Sequence, residues 1–179
     1  MNLSIETISN DFSHRYEWSK PLNQMNLIYQ LFEPMVADKL IIKIFNIINQ
    51  SGLPTYLYKK ELNDLGKPEI IIDMNNVINE IISTEDPQLE LTKLLQMYQS
   101  KEPYIKWIIT REIYKEAEND LIASIILARI EKGFTTHDIA KQLNIENEQL
   151  IRIEERKECP TLDIINQLVR VLNKKLKLI

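Results

Sequence analysis

The fold is decided by one stretch, Arg129-Ile-Glu-Lys-Gly-Phe-Thr-Thr-His-Asp-Ile-Ala-Lys-Gln-Leu-Asn-Ile-Glu-Asn-Glu-Gln-Leu-Ile-Arg-Ile-Glu154. Gly133 is placed to end one helix, because glycine readily adopts the left-handed conformation common at helix C-termini. Thr135 can cap the following helix through its hydroxyl. A narrow apolar face follows, made of Ile139, Ala140 and Leu143. The small side chain of Ala140 lets a second helix cross closely, so the stretch predicts two helices packed at a steep angle.

A short turn and a second helix continue the pattern. Asn144 tolerates the left-handed conformation that a tight inter-helix turn requires, and Ile145 fills the corner. Leu150 and Ile153 lie three residues apart and are predicted to face inward. The outward side then holds Asn147, Glu148, Gln149 and Arg152. This is the pattern of a helix-turn-helix, whose second helix enters the major groove of DNA.

A closing helix is predicted after Pro160. Proline disfavours helical geometry in the residue before it, and Thr161 can cap the helix that follows. The apolar stripe of this helix is predicted to consist of Leu162, Ile165, Leu168, Val169 and Leu172. Asn173 is the predicted stop.

Residues 121–178, about a third of the chain, resemble the Cro/phage-repressor-like (XRE) family of helix-turn-helix regulators. The resemblance rests on an arginine four residues before a glycine, then Ile-Ala, Leu, Ile-Arg-Ile-Glu, Lys and Pro-Thr-Leu at matching spacings. It implies a five-helix lambda-repressor-like domain over residues 119–179. It also implies a structural ion pair between Arg129 and Glu154, which orients two helices.

The chain departs from the family pattern at four positions. Thr136 stands where the family usually has a glutamine that donates to a phosphate, and it has less reach. Glu146 replaces the usual serine or threonine, and Glu148 lies among the expected base-reading positions. Carboxylates there repel phosphates, although a carboxylate can accept a hydrogen bond from cytosine. Arg156 replaces a family glycine and would be strained in a left-handed conformation.

Six residues are the candidates for DNA contact. Amide and guanidinium side chains can make paired hydrogen bonds to base edges, and hydroxyl or cationic groups can bind phosphates. The base-edge candidates are Asn147, Gln149 and Arg152, and the phosphate candidates are Thr136, Arg156 and Lys157.

The charge of the C-terminal third is nearly balanced. From Asn119 onward there are ten Lys and Arg residues against nine Asp and Glu residues, whereas the whole chain carries −4. A strong non-specific DNA binder would be markedly basic. We therefore expect a homodimer on a two-fold operator in double-stranded DNA, because two copies double the contacts. The alternative is a helix-turn-helix retained for docking a protein.

The ending of the chain narrows the resemblance. Pro-Thr-Leu-Asp, a helix and the tail Lys174-Lys-Leu-Lys-Leu-Ile179 look like HigA-type antitoxins. This implies a transcriptional repressor that controls its own operator, with residues 1–118 as the candidate region for binding a protein toxin or for dimerisation. The rival is a protein-binding or immunity module with a vestigial helix-turn-helix. A small toxin encoded next door would favour the antitoxin.

Residues 1–118 are predicted to form a separate, mostly helical domain in an all-α protein. A loosely docked or disordered lead-in to about residue 22 contains Trp18 and Pro21. Apolar periodicity predicts helices over residues 23–32, 34–49, 74–83, 86–100 and 103–118, with Pro103 opening the last one. Residues 56–73 are ambiguous: β-branched Ile70, Ile71 and Ile72 favour a short hairpin, and the alternative is a turn of helix that leads into residues 74–83.

Composition excludes several functional classes. One cysteine allows no disulfide within the chain, and neither a secretion signal nor a membrane-spanning stretch is present, so a cytoplasmic protein without membrane association is expected. His14, His137 and Cys159 have no metal-binding spacing, and there is no glycine-rich phosphate loop. We expect no metal, no cofactor and no enzymatic activity. His137 is expected to be solvated and Cys159 to be a loop spacer.

Overall fold

The computed structural model describes residues 25–176 of the chain. Within them the chain forms eight helices and one two-stranded sheet, and 66% of these residues are helical. The expectation of a mostly helical protein is confirmed, with the small sheet as an addition to the predicted all-α class. The lead-in with Trp18 and Pro21 and the last three residues lie outside the described residues.

The described residues fall into two compact units. The N-terminal unit comprises residues 25–29 and 33–113, and the C-terminal unit comprises residues 30–32 and 114–176. The boundary between Ile113 and Tyr114 falls inside a helix. The elements in chain order are α1 (Met25–Leu31), α2 (Pro34–Asn49), β1 (Tyr58–Leu62), β2 (Pro68–Ile72), α3 (Met74–Ile82), α4 (Pro87–Ala117), α5 (Leu121–Glu131), α6 (Thr136–Leu143), α7 (Asn147–Glu154) and α8 (Leu162–Val171).

Helix α2 supplies much of the core of the N-terminal unit. Glu33 stands before it in an extended conformation and Pro34 begins it, a position where the missing N–H of proline costs no hydrogen bond. One face of the helix is buried, through Ala37, Leu40, Ile41, Ile44 and Ile48. The 3.6-residue periodicity therefore predicted this helix at its observed bounds.

The ambiguous segment forms a hairpin. β1 and β2 pair antiparallel, with Tyr58 opposite Ile72 and Leu62 opposite Pro68. The Asn63 side chain stabilises the turn, because its Oδ1 accepts hydrogen bonds from the backbone N–H groups of Leu65 and Lys67, each at 3.0 Å. The β-branched isoleucines of the second strand favour the hairpin over a turn of helix, because such side chains pack well on a pleated sheet.

Helix α4 corrects the prediction of two helices separated near Pro103. It runs without interruption from Pro87 to Ala117, with Pro103 inside it. Proline removes one helical hydrogen bond and clashes with the preceding turn, so a break was expected. The buried stripe continues on both sides of the proline, through Leu91, Leu94, Tyr98, Ile105, Ile108 and Ile109. Packing of this stripe outweighs the local cost at Pro103.

The C-terminal unit is built around one apolar cluster of α5, α6, α7 and α8. Its buried members are Ile125, Ala128, Ile139, Ala140, Leu143, Leu150, Leu168 and Leu172. Four helices lie between Asp120 and Leu176, against the five expected. Asn173 has a positive φ of 53°, which ends the last helix as predicted. Leu162 is 69% exposed, so the prediction that it joins the packed stripe was wrong, because it lies in the first turn and points to solvent.

No helix among residues 25–176 combines the length and apolar character needed to cross a membrane.

Candidate functional site

The candidate site begins with the cap of α6. The Thr135 hydroxyl accepts a hydrogen bond from the Asp138 backbone N–H at 3.1 Å, and the Asp138 carboxylate accepts from the Thr135 backbone N–H at 2.8 Å. This capping box satisfies two helix-terminal donors reciprocally. The prediction that Thr135 caps the helix is confirmed, whereas the return contact from Asp138 was not predicted. The Asp138 carboxylate also accepts from the Thr135 hydroxyl at 2.7 Å. This bond and the one from the Thr135 backbone N–H hold the pKa of Asp138 below its ordinary value.

The turn between α6 and α7 is built as the sequence predicted. Asn144 adopts the left-handed conformation, with φ 55° and ψ 43°. The next backbone N–H, of Ile145, donates to the Ala140 carbonyl at 3.1 Å, and the Ile145 side chain packs on the apolar cluster. Leu150 and Ile153 of α7 are fully buried. Helix α7 is therefore fixed to α6 along one face and leaves the other face outward.

Arg129 and Glu154 join α5 to the end of α7. The guanidinium donates from Nε to Oε1 at 2.7 Å and from Nη2 to Oε2 at 2.6 Å, a two-bond pair. A third bond runs from Nη1 to the Phe134 carbonyl at 3.0 Å. Only 14% of the arginine side chain and 11% of the glutamate side chain are exposed. Paired bonds of this kind are strongly directional, so they set the orientation of α7 relative to α5.

The base-edge candidates lie on the outward part of α7 with unequal exposure. Arg152 is exposed, while Asn147 and Gln149 are half-buried. The Oδ1 atom of Asn147 is shielded from solvent and accepts no hydrogen bond within the described residues. Arg152 therefore presents its polar groups to solvent more fully than Asn147 does.

Glu158 forms hydrogen bonds with two of the base-edge candidates, Gln149 and Arg152. Its Oε1 accepts a hydrogen bond from Gln149 Nε2 at 2.8 Å, and its Oε2 accepts from Arg152 Nε at 2.9 Å. The bonds from Gln149 and then Arg152 hold the pKa of Glu158 below its ordinary value. Sequence reasoning did not single out Glu158, because its approach to α7 depends on the path of the loop that follows the helix.

Arg156, a predicted phosphate contact, is bonded within the protein through one nitrogen of its guanidinium. Its Nη2 donates to the Asp120 carboxylate at 2.6 Å and to the Leu31 carbonyl. Asp120 uses its other oxygen to accept from the Ala123 backbone N–H at 3.0 Å, so one carboxylate caps α5 and binds Arg156. Arg156 adopts the left-handed conformation in which strain was expected, with φ 60°. Its partner lies 36 residues away, a separation that no local pattern reveals.

The other phosphate candidates remain at the surface. Thr136 is half-buried at the first position of α6. Lys157 is exposed, and its ammonium lies 2.7 Å from a carboxylate oxygen of Glu155. Near them, three glutamates of α7 and its flanks are exposed, namely Glu146, Glu148 and Glu155. The outward surface consequently carries acidic and basic groups side by side.

Chemistry-bearing side chains elsewhere in the unit form no cluster. His137 and Cys159 are both exposed, as expected for a solvated residue and a loop spacer. Within residues 25–176, no group of three or more histidine, cysteine, aspartate or glutamate side chains is arranged to hold a metal ion.

The chain was compared with known proteins on three levels. No protein-family model matches it, and no match was found among curated proteins or among solved structures.

Proposed function

We propose that the chain is a sequence-specific DNA-binding transcriptional regulator that inserts α7 into the major groove. The observation that carries this proposal is the pairing of α6 and α7 through the left-handed Asn144, with Arg129 and Glu154 fixing the outward face of α7. A helix held rigidly at a steep turn, with polar side chains outward, suits a helix-turn-helix reader.

The chemistry of the outward face suits base recognition. Arg152 can make paired hydrogen bonds to guanine O6 and N7, and Gln149 can do the same with adenine N6 and N7. Asn147 is a third proposed base contact, and we expect it to contribute less to base recognition because its amide oxygen is shielded from solvent. Thr136 and Lys157 are proposed phosphate contacts. Arg156 is a further proposed phosphate contact, although its Nη2 is bonded to Asp120 and Leu31.

Affinity is proposed to come from a homodimer. The C-terminal residues from Asn119 onward are almost neutral, so a single copy gains little from phosphate attraction. Two copies on a two-fold operator double both the base contacts and the phosphate contacts. If the regulator is an antitoxin, we propose that its N-terminal unit binds a protein toxin.

The test is a footprint and gel shift on DNA from the protein's own promoter, followed by selection from a randomised duplex library. We expect one protected two-fold site. Arg152→Ala should relax preference at one position of each half-site, by about 1–3 kcal/mol of discrimination. Lys157→Ala should weaken binding to all sequences alike and lower the salt slope by about one. Absence of a preferred sequence at low salt would overturn the proposal.

A protein-docking module is the second candidate. The observation that favours it is the acidic character around α7, where Glu146, Glu148 and Glu155 are exposed and Lys157 is already paired. Glu148→Gln separates the candidates, because removal of the charge should strengthen DNA binding generally unless Glu148 accepts from a cytosine. In a docking module the same change should weaken a protein complex and leave DNA binding undetectable.

A further inference from the structure

We propose that Glu158 is a positioning residue that sets the sequence specificity of the reading helix by holding Gln149 and Arg152 in their base-reading orientation. This inference rests on the proposed DNA-reading function. It concerns a residue outside α7, and it assigns a role to a carboxylate that, by charge alone, would oppose DNA binding.

The backbone of the loop brings Glu158 to α7. The N–H groups of Lys157 and Glu158 both donate to the Arg152 carbonyl, at 2.8 and 3.2 Å. The chain is thereby folded back over the last turn of α7, and Arg156 anchors the same loop through Asp120. The position of the Glu158 carboxylate is therefore determined by the fold of the loop as well as by its two side-chain partners.

One carboxylate serves two readers that lie one helical turn apart. Gln149 and Arg152 are three residues apart on α7 and so share a face. Oε1 accepts from Gln149 at 2.8 Å and Oε2 accepts from Arg152 at 2.9 Å, so both oxygens are used. Fixing two long side chains before binding removes part of the conformational entropy that they would otherwise lose on DNA.

The bonds leave the reading groups available. Glu158 takes Nε of Arg152, and the terminal Nη groups make no hydrogen bond within residues 25–176. These two nitrogens form the guanidinium edge that can bind guanine O6 and N7 together. Gln149 gives one amide proton to Glu158 and keeps a second proton and its carbonyl oxygen, the pair that adenine requires.

Glu158 could act through its negative charge or through the positions of Gln149 and Arg152, and these two roles predict different effects on DNA binding. As a repulsive charge, Glu158 lowers affinity for every sequence alike. As a positioning residue, it raises the ratio of specific to non-specific affinity. Glu158→Gln keeps the size of the side chain and loses the charge and one acceptor, so non-specific binding should rise while the specificity ratio falls about tenfold.

The experiment uses the full chain and three proteins. The wild type, Glu158→Gln and Glu155→Gln are titrated on the selected operator and on a scrambled duplex over a range of salt concentrations. Glu155→Gln is the matched control, because it removes the same charge from an exposed neighbour that contacts Lys157 and neither reader. It should raise binding to both duplexes equally and leave the ratio unchanged.

The outcomes are distinct. A lower specificity ratio in Glu158→Gln alone, with an unchanged melting temperature, supports the positioning role. An unchanged ratio, or the same change in both variants, overturns it while leaving the DNA-reading function in place. If the variant does not fold, Glu158→Asp replaces it, and a shortened carboxylate that keeps full specificity would overturn the inference. A wild type without any preferred duplex overturns the underlying function itself.

Discussion

Both units have a buried apolar core, and they differ in the backbone conformations that accompany it. The N-terminal unit buries large aliphatic side chains from distant segments, such as Ile44 of α2, Ile70 of β2 and Ile109 of α4. The C-terminal unit adds helix caps and left-handed turns to an apolar cluster of its own. All three non-glycine residues with positive φ in residues 25–176 belong to it, and they are Asn144, Arg156 and Asn173. Helix caps and left-handed turns can be predicted from residue types at short spacing. Packing between distant segments shows in the sequence only as the periodicity of apolar residues.

The largest expected effect comes from breaking the most buried ion pair of the C-terminal unit. Arg129→Ala leaves Glu154 charged, buried and unpaired, so we expect a loss of about 3–5 kcal/mol in the free energy of unfolding of this unit. Hydrogen exchange measured separately for the two units checks this. Amides of α5 and α7 should lose protection while those of α2 keep it.

The double variant Arg129→Met with Glu154→Leu is the control. Replacing both partners with apolar side chains removes the unpaired charge, so most of the stability should return. If the double variant is as unstable as Arg129→Ala, the pair acts through its geometry more than through its charge. Equal loss of protection in both units would contradict the comparison itself.

The second effect lies in the N-terminal unit and has the opposite sign. Pro103→Ala restores a helical hydrogen bond in the middle of α4, so the unit should gain about 2–3 kcal/mol. Chemical denaturation followed by tryptophan fluorescence reports the change, because Trp107, one of the two tryptophans, lies four residues further along the same helix. Pro87→Ala at the first position of α4 is the control and should be close to neutral, because no hydrogen bond is missing there.

The third effect separates backbone strain from side-chain bonding at Arg156. Arg156→Ala loses the bonds to Asp120 and Leu31 and keeps the left-handed backbone, so we expect a loss of about 2 kcal/mol. Arg156→Gly loses the same bonds but relieves the backbone, and it should be more stable than the alanine variant by about 1 kcal/mol. Equal melting temperatures for the two variants would show that this position carries no backbone strain.

The smallest effect is the pH dependence of the capping box. The pKa of Asp138 is lowered in the folded state from its ordinary value of 3.8. Its contribution to the free energy of unfolding is therefore fully present above pH 3.8 and is lost as the pH falls through the lower pKa of the folded state. Asp138→Asn should be less stable than the wild type at neutral pH. The difference should disappear in acid, and a difference that persists there would count against the carboxylate as its source.

Sequence reasoning succeeded where the structure depends on neighbouring residues. The Thr135 cap, the left-handed Asn144 and the buried Leu150 each follow from residue type and short spacing. Predictions from the sequence failed where the structure depends on contacts between residues far apart in the chain. The contact of Arg156 with Asp120 spans 36 residues, and the continuity of α4 through Pro103 depends on packing along its whole length. Glu158 was missed because its approach to Gln149 and Arg152 depends on the path of the loop after α7.

Cys159 provides a practical consequence of the loop after α7. It is the single cysteine of the sequence and is exposed, one residue beyond Glu158. A thiol-reactive spin label therefore attaches at one defined point per chain without any engineered mutation. Two copies on a two-fold operator with half-sites one helical turn apart would place their reading helices roughly 34–36 Å apart. Pulsed dipolar spectroscopy on the labelled protein bound to operator DNA should then report one intermolecular distance on that order.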